Sequence, residues 1–141
     1  MQESTIELEL EVETYDIDAA GHANNIAYVR WLEDLRTRLV KANFDFKKIL
    51  ADGCYVVVAS TTIKYKKPLK LFDRPVGRMT LSDIRHGVMI MKADVLIDGQ
   101  LASTAEQKCV MVRLSESAIL NEDQLRRFLI IPSKTERSPE K

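Results

Sequence analysis

Apolar and polar residues alternate at the start of the chain, and the period of this pattern then changes. Over Thr5–Thr14, isoleucine, leucine and valine occupy every second position and glutamates fill most positions between them, which predicts a strand with one solvated face. Over about Ile26–Ala42 the apolar residues recur at helical spacing without Gly or Pro, which predicts a long amphipathic helix. Residues 15–23 fit neither pattern, and the side-chain oxygen of Asn24 or Asn25 can cap the helix that follows.

Four further strand-like runs follow the helix. A loop with a short helical turn, Phe44–Asp52, leads to them, and Gly53 ends it. The four runs are Cys54–Lys67, Val76–Ile84, Val88–Ile97 and Leu101–Leu114. Asp98-Gly99 between the last two is a strong hairpin signal. A short last helix, capped by Asn121, is predicted at about Glu122–Leu129.

The order strand, long helix, four strands predicts an α+β protein. A helix of about 25 Å, at about 1.5 Å per residue, can lie along a five-stranded, mostly antiparallel sheet, so that the helix stripe and one sheet face form the core. A sheet that wraps around one long central helix is the hotdog architecture. The length of 141 residues indicates one domain, which we place at residues 1–132, and we expect the polar tail at 133–141 to be disordered.

Composition and charge narrow the class of protein. Hydrophobic residues make up 45% of the chain, charged residues make up 30%, and the formal net charge is zero. These values are typical of a globular protein and argue against a general nucleic-acid binder. The acidic, polar N-terminus and the lack of a membrane-length apolar run predict no signal peptide and no membrane association. The expected location is the cytoplasm, or an organelle if a transit peptide precedes this sequence.

Cys54 and Cys109 are the only cysteines, and each lies in an apolar, strand-like run. We expect both to be buried, reduced thiols of the core rather than nucleophiles, because neither has a His beside it. The sequence contains no CxxC and no His/Cys cluster, so it predicts no metal site and no cofactor.

One segment between the first strand and the helix concentrates polar and flexible residues. It reads Tyr15-Asp16-x-Asp18-x-x-Gly21-His22-x-Asn24-Asn25-x-x-Tyr28. A helix start, with free amides and the positive end of the dipole, is where a protein binds an anion or a polarised carbonyl. The segment resembles the signature of hotdog-fold acyl-CoA thioesterases, above all the 4-hydroxybenzoyl-CoA thioesterase-like family. Its His22-x-Asn24-Asn25-x-x-Tyr28 portion is also similar to plant acyl-carrier-protein thioesterases.

Two later patterns extend the resemblance over about residues 6–114. Ile63-x-Tyr65-x-x-Pro68-Leu69-x-Leu71-x-Asp73 is similar to that family's second-strand pattern, and Leu101-Ala102 with Val110-Met111-Val112 looks like its last strand. The resemblance implies a thioesterase that hydrolyses an acyl- or aroyl-CoA, or an acyl-carrier-protein thioester, to free acid and thiol. It also implies a homodimer or homotetramer whose sites form between two subunits.

The resemblance assigns the catalytic carboxylate to Asp18, as general base or as nucleophile. Taken alone, an Asp in this loop also fits a turn in which it accepts backbone N–H bonds. Asp16 is the weaker candidate and is expected to be exposed or structural. By resemblance the amide of Asn25 polarises the thioester oxygen, aided by the helix dipole. His22 is a further candidate of the catalytic loop, with a structural hydrogen-bonding role as the alternative.

The candidates for substrate binding lie near this loop, on the second predicted strand, or in a basic cluster after it. Gly21 permits a positive φ or a close approach of substrate. The lysines and arginine can hold the phosphates of coenzyme A, or they protect a strand end. By resemblance the threonine hydroxyls can serve the partner subunit's Asp18, whereas the tyrosine lines an acyl pocket or belongs to the core. The set is Gly21, Asn24, Tyr28, Thr61, Thr62, Lys66, Lys67 and Arg74.

Two other functions also fit the sequence. A non-catalytic acyl-CoA-binding hotdog protein would keep the basic cluster and a groove without depending on Asp18 for turnover. A hotdog hydratase or dehydratase would need a closely coupled Asp and His on the catalytic loop, which Asp18 and His22 resemble only loosely.

Overall fold

A long helix lies against one face of an antiparallel sheet. The computed structural model describes residues 5–130. In chain order the elements are β1 (Thr5–Glu9), α1 (Asn25–Asn43), α2 (Phe46–Ala51), β2 (Cys54–Tyr65), β3 (Val76–Arg85), β4 (Val88–Ile97), β5 (Gln100–Arg113), β6 (Ala118–Ile119) and α3 (Glu122–Arg126). Single turns of 3-10 helix stand at Thr14–Asp16 and Leu114–Glu116.

The strands are ordered β1-β3-β4-β5-β2, and every neighbouring pair is antiparallel. β6 pairs with the end of β5. Asp98 and Gly99 form the predicted hairpin between β4 and β5, with φ of 52° and 77°, the left-handed values that a two-residue type I′ turn needs. Within the described chain, β1 and β2 each pair on one side only, so they are the two edges of the sheet.

The first strand is shorter than the alternation predicted. β1 ends at Glu9 instead of Thr14, because its partner β3 begins at Val76 and supplies no further ladder. Leu10 still donates its N–H to the carbonyl of Pro75 at 2.9 Å. Leu10 and Val12 also remain buried in one cluster with Trp31 of α1. The alternation therefore reports burial against the helix beyond the end of the hydrogen-bonded strand.

Other boundaries differ from the predictions by a few residues. α1 extends one residue further at each end. β2 ends at Tyr65 because the amides of Lys66 and Lys67 both donate to the Ala102 carbonyl instead of continuing the ladder. The last helix ends at Arg126. The five predicted strands form the sheet, and the sequence did not indicate β6, because a two-residue strand is too short to show a period.

The core lies between α1 and the sheet. A Cβ on Gly77 of β3 would lie 2.9 Å from the side chain of Leu10 and 3.0 Å from that of Leu35 in α1, so this glycine lets both leucines approach the sheet closely. Cys54 and Cys109 are buried, unpaired thiols, as predicted. Burial raises the pKa of Cys109 to about 11, which keeps this thiol neutral.

The ends of the chain are not part of this description. The tail at 133–141 and the domain end at residue 132 lie outside the described residues, so both stay predictions. Between residues 5 and 130, no helix is long and apolar enough to cross a membrane.

Candidate active site

The loop between β1 and α1 is a closed turn held by its own backbone. Asp18 donates its N–H to the His22 carbonyl at 2.8 Å, and Gly21 donates to the Asp18 carbonyl at 3.0 Å. Ile17 and Ala23 close the turn with an antiparallel bridge. Gly21 has φ of 83°, and no atom lies within 4 Å of the position a Cβ would take. The backbone conformation, and not crowding, therefore favours glycine at this position.

Asp18 is exposed at the start of this turn and uses one carboxylate oxygen to hold it. Its Oδ1 accepts from the N–H of Ala20 at 2.9 Å and from the N–H of His22 at 3.1 Å. In residues 5–130, its Oδ2 has no hydrogen-bond partner. The turn that the sequence left as an alternative thus forms, and within residues 5–130 it holds the Asp18 carboxylate through one oxygen only.

The start of α1 presents free amides beside this turn. Asn24 is the helix cap, because its Oδ1 accepts from the N–H of Ala27 at 2.9 Å, which decides between the two predicted caps. Asn25 is the first helical residue and is exposed. Among residues 5–130, the N–H of Asn25 has no acceptor. Such an amide at the positive end of a helix can stabilise negative charge on a carbonyl oxygen.

His22 contributes its backbone to the turn, through the two bonds to Asp18. Its half-buried ring forms no hydrogen bond within the described part of the chain. In the single chain the side chains of Asp18 and His22 are therefore not coupled. A hydratase of this type would require that coupling.

The second sequence motif packs directly against the first. Ala23 donates its N–H to the carbonyl of Leu69 at 2.7 Å, and the Leu69 side chain is completely buried. Asp73 closes the following turn, since its Oδ2 accepts from the N–H of Lys70 at 2.8 Å. The two motifs are thus parts of one structure, in which residues 68–73 support the end of the candidate catalytic loop.

An ion pair that the sequence did not reveal anchors the loop to the helix. Arg30 Nη2 lies 2.6 Å from Asp16 Oδ2, which also accepts from the N–H of Glu13 at 2.8 Å. The Asp16 carbonyl accepts from the N–H of Asn24 at 2.7 Å. Asp16 is 3% exposed, so of the two expected alternatives, exposed or structural, the structural one is supported. The spacing of fourteen residues between Asp16 and Arg30 gave no signal of this contact.

Tyr28 lies in the core, and its ring does not form an exposed wall of a pocket. Its ring stacks edge-on against Trp31, with centroids 5.1 Å apart, and against Tyr65, with centroids 5.0 Å apart. Burial, and secondarily Tyr65, raise the pKa of Tyr28. Of these three rings, Tyr65 alone is substantially exposed.

Thr61 and Thr62 are exposed on the edge strand β2 but point to opposite faces. Thr61 lies opposite Gln107 in the ladder, and Thr62 lies opposite Glu106. Gln107 donates from Nε2 to the Thr61 hydroxyl at 3.1 Å, which places Thr61 on the helix side of the sheet. Within residues 5–130, no hydrogen bond joins either threonine to the Asp18 turn.

The predicted basic cluster, which in the sequence extends as far as Arg78, separates into different parts of the structure. Lys66 and Lys67 follow β2 and are exposed, and Lys67 Nζ donates to Gln100 at 2.9 Å. Arg78 instead lies in β3 within 3.9 Å of Glu7. Arg74 lines a groove of about 1080 Å³ between the segment after β1 and the outer face of α1. Of the three predicted phosphate-binding residues, Arg74 lines this groove and Lys66 and Lys67 do not.

That groove does not contain the candidate catalytic residues. Its lining combines charged residues of both signs with a few apolar ones, among them Glu13, Arg30, Trp31, Asp34 and Arg74. Asp18, His22 and Asn25 do not line it. The candidate loop instead lies open on the surface of the single chain, next to the exposed apolar side chains of Ile26 and Val29.

A curled antiparallel sheet around one helix, with a carboxylate turn at the helix start, defines a hotdog-fold protein, and the predicted fold is confirmed. A sequence profile described as the thioesterase-like superfamily matches residues 12–136, and the chain belongs to that superfamily. The predicted thioesterase family is thereby confirmed. Between residues 5 and 130, no three His, Cys, Asp or Glu side chains form a group that can hold a metal ion.

Individual relatives agree with this assignment. The chain is 24% identical over 127 residues to the long-chain acyl-CoA thioesterase FadM of Escherichia coli K12, a match that covers 88% of this chain and 96% of FadM. The crystal structure of YbaW from Escherichia coli has a TM-score of 0.77 at 23% identity, over 88% of this chain and 94% of YbaW. A thioesterase from Thermus thermophilus, crystallised with coenzyme A and Zn, has a TM-score of 0.72 at 21% identity, over 86% and 94% of the two chains.

Proposed function

We propose that this protein hydrolyses acyl-CoA thioesters, with Asp18 as general base or nucleophile. The observation that carries the proposal is the state of the Asp18 carboxylate. Two backbone N–H groups fix its Oδ1, whereas Oδ2 has no hydrogen-bond partner within residues 5–130. The free amide of Asn25 follows at the helix start. The likeness to FadM supports a long-chain acyl group as the substrate class.

The chemistry follows from these two groups. The thioester carbonyl oxygen accepts from the N–H of Asn25, and the helix dipole stabilises the negative charge that develops on it. Asp18 Oδ2 either removes a proton from the water that attacks the carbonyl carbon, or attacks that carbon itself to give an anhydride that water cleaves. In both routes the C–S bond breaks, coenzyme A leaves and takes up a proton, and the free acid is the second product.

The rest of the substrate requires surfaces outside the turn. Lys66 and Lys67 are the cations that we assign to the phosphates of coenzyme A, because both are exposed at the end of β2. Ile26 and Val29, within the first five residues of α1, are 76% and 51% exposed. Exposed apolar side chains beside an open site favour a contact with a second subunit. We therefore propose a homodimer or homotetramer in which a neighbouring subunit covers the turn.

Asp18→Asn tests the mechanism, because asparagine keeps the size and the oxygen that accepts the turn N–H bonds but loses the charge and the basicity. We expect thiol release from long-chain acyl-CoA to fall by at least about a hundredfold, the scale for loss of a positioned acid–base group. Asp45→Asn is the matched control. It also removes the charge of an Asp that accepts a backbone N–H at a helix start, that of α2, and we expect it to leave turnover unchanged.

Three outcomes separate the candidate functions. A folded Asp18→Asn protein with normal turnover contradicts the proposed mechanism. A wild-type protein that binds acyl-CoA but never releases thiol would be a binding protein. Faster release from acyl-carrier-protein thioesters than from acyl-CoA would keep the reaction and change the carrier.

A further inference from the structure

A chain of hydrogen bonds runs from α1 through β5 to the edge strand β2. Arg36 donates from Nη1 to Gln107 Oε1 at 3.0 Å, and Gln107 donates from Nε2 to Thr61 Oγ1 at 3.1 Å. Gln107 is 2% exposed and the Arg36 side chain is 12% exposed. Polar groups are expensive to bury unless they are hydrogen-bonded. Two such side chains in an otherwise apolar helix–sheet interface therefore invite a functional explanation.

The chemistry of Arg36 and Gln107 determines which group donates and which accepts in each of these hydrogen bonds. A guanidinium group has only donors, so Gln107 must turn its carbonyl oxygen to Arg36 and its NH₂ to Thr61. The Thr61 oxygen is then an acceptor, and its one proton is available for a different partner. Among residues 5–130, no acceptor takes that proton. Thr61 is thus a hydroxyl set to donate away from the core.

The position of Thr61 shows where its hydroxyl proton can be donated. Thr61 lies opposite Gln107 in the antiparallel ladder, so both side chains stand on the helix side of the sheet. Gln107 is buried, but Thr61 is exposed because β2 is an edge of the sheet. Glu33, itself exposed, pairs with the guanidinium group of Arg36. The hydroxyl therefore stands at the open margin between α1 and β2, at the end of a charge-assisted chain.

We propose that Arg36 and Gln107 are positioning residues that set the Thr61 hydroxyl as a hydrogen-bond donor to a carbonyl oxygen of the bound thioester substrate. The inference rests on the proposed function, because it names a further contact of the same substrate. Thr62 cannot share this role, since its side chain stands on the other face of β2, opposite Glu106.

A double-mutant cycle on thiol release from acyl-CoA tests the proposal. Thr61→Val removes the hydroxyl at nearly constant volume, and we expect kcat/KM to fall about ten- to a hundredfold, the range for one donor to developing charge. Gln107→Met removes the hydrogen bond that orients the Thr61 hydroxyl, and in the wild-type background it should lower kcat/KM by about the same factor. In the Thr61→Val background, Gln107→Met should cost less than about threefold. Thr61→Ser keeps the hydroxyl and should retain most of the activity. Thr104→Val is the matched control without effect, because Thr104 lies opposite Lys64 on the other face of the sheet from Gln107.

The double-mutant cycle distinguishes a Gln107 that positions the Thr61 hydroxyl from a Gln107 that only stabilises the fold. If Gln107 only stabilised the fold, its loss would reduce activity by the same factor whether residue 61 is Thr or Val, and such multiplying losses overturn the proposal. Should Gln107→Met fail to fold because it leaves Arg36 without its acceptor, Arg36→Met combined with Gln107→Met removes both polar ends and must show the same lack of additivity. An active wild type whose Thr61→Val variant is equally active overturns this inference alone. A wild type that releases no thiol overturns the proposed function and this inference with it.

Discussion

Asp16 and Arg30 form one ion pair, with 2.6 Å between Oδ2 and Nη2, but their side chains lie in different environments. The Asp16 side chain is 4% exposed and the Arg30 side chain is 38% exposed. The carboxylate depends on this partner and on the N–H of Glu13, whereas water can reach the guanidinium group. The pair joins the 3-10 turn at Thr14–Asp16 to α1, two residues before Asp18.

This asymmetry predicts unequal effects of removing either partner. Arg30→Gln leaves a buried carboxylate without its cation, and we expect a loss of about 3 kcal/mol in the free energy of unfolding. Asp16→Asn leaves a guanidinium group that water can solvate, and we expect a loss of about 1 kcal/mol. Urea unfolding of both single variants and of the double variant measures the difference. Equal losses, or a larger loss for Asp16→Asn, would show that the exposure of the two side chains does not control the energy.

The periodic elements could be predicted from the sequence because their signals are local. The bounds of Val88–Ile97 agree with the prediction, since alternation and a two-residue turn specify that strand without reference to its neighbours. The end of the first strand could not be predicted in this way. It depends on where β3 begins, at Val76, and residue patterns within Thr5–Thr14 carry no information about that partner.

The candidate site shows the same division. The turn around Asp18, the cap at Asn24 and the positive φ of Gly21 follow from residues next to one another in the chain. The contacts of Arg30 with Asp16, and of Gln107 with Arg36 and Thr61, join residues far apart in sequence. In the sequence, Gln107 in a strand and Arg30 in a helix look like ordinary solvated polar residues. Only the folded structure therefore reveals their contacts.

Gly21 offers a test of the turn itself. At φ of 83° with open space around it, Gly21→Ala should cost about 1–2 kcal/mol through backbone strain alone. Gly21→Asn should cost less, because asparagine tolerates the left-handed region better than alanine. Thermal unfolding of the two variants ranks them, and thiol release reports whether the turn still presents Asp18. If alanine were as stable as asparagine here, the strain argument would be wrong.

The buried thiol of Cys109 predicts an alkaline limit to stability. The pKa of Cys109 is raised to about 11 in the folded protein, from 9.0, so the folded state holds this proton more tightly than the unfolded state. The resulting stabilisation is complete below about pH 9 and is lost as the pH rises through about 11. We expect it to be about 1–3 kcal/mol, from about 1.4 kcal/mol per pKa unit.

Chemical denaturation across this pH range measures the effect. Cys109→Ala has no thiol to ionise at this position and should lack this part of the alkaline loss. In the native wild type both cysteines should react slowly with a thiol reagent at neutral pH and rapidly after denaturation, because both are completely buried. Rapid labelling of one thiol in the native protein would contradict the burial of that cysteine.

Mixing two defective variants tests whether the site forms between subunits. If Asp18 of one subunit works with Thr61 of the other, an Asp18→Asn subunit paired with a Thr61→Val subunit has one intact site and one site with both defects. Random exchange makes half of the dimers mixed, and one of their two sites works, so we expect the mixture to reach about a quarter of wild-type activity.

Sedimentation at micromolar concentration first establishes that the variants are dimers or tetramers. The control replaces the Thr61→Val subunit with one that carries both Thr61→Val and Asp18→Asn, so that no arrangement contains Asp18. Should the active mixture merely equal the mean of its separate components, Asp18 and Thr61 would serve a site within one chain, and the neighbouring subunit would only cover it.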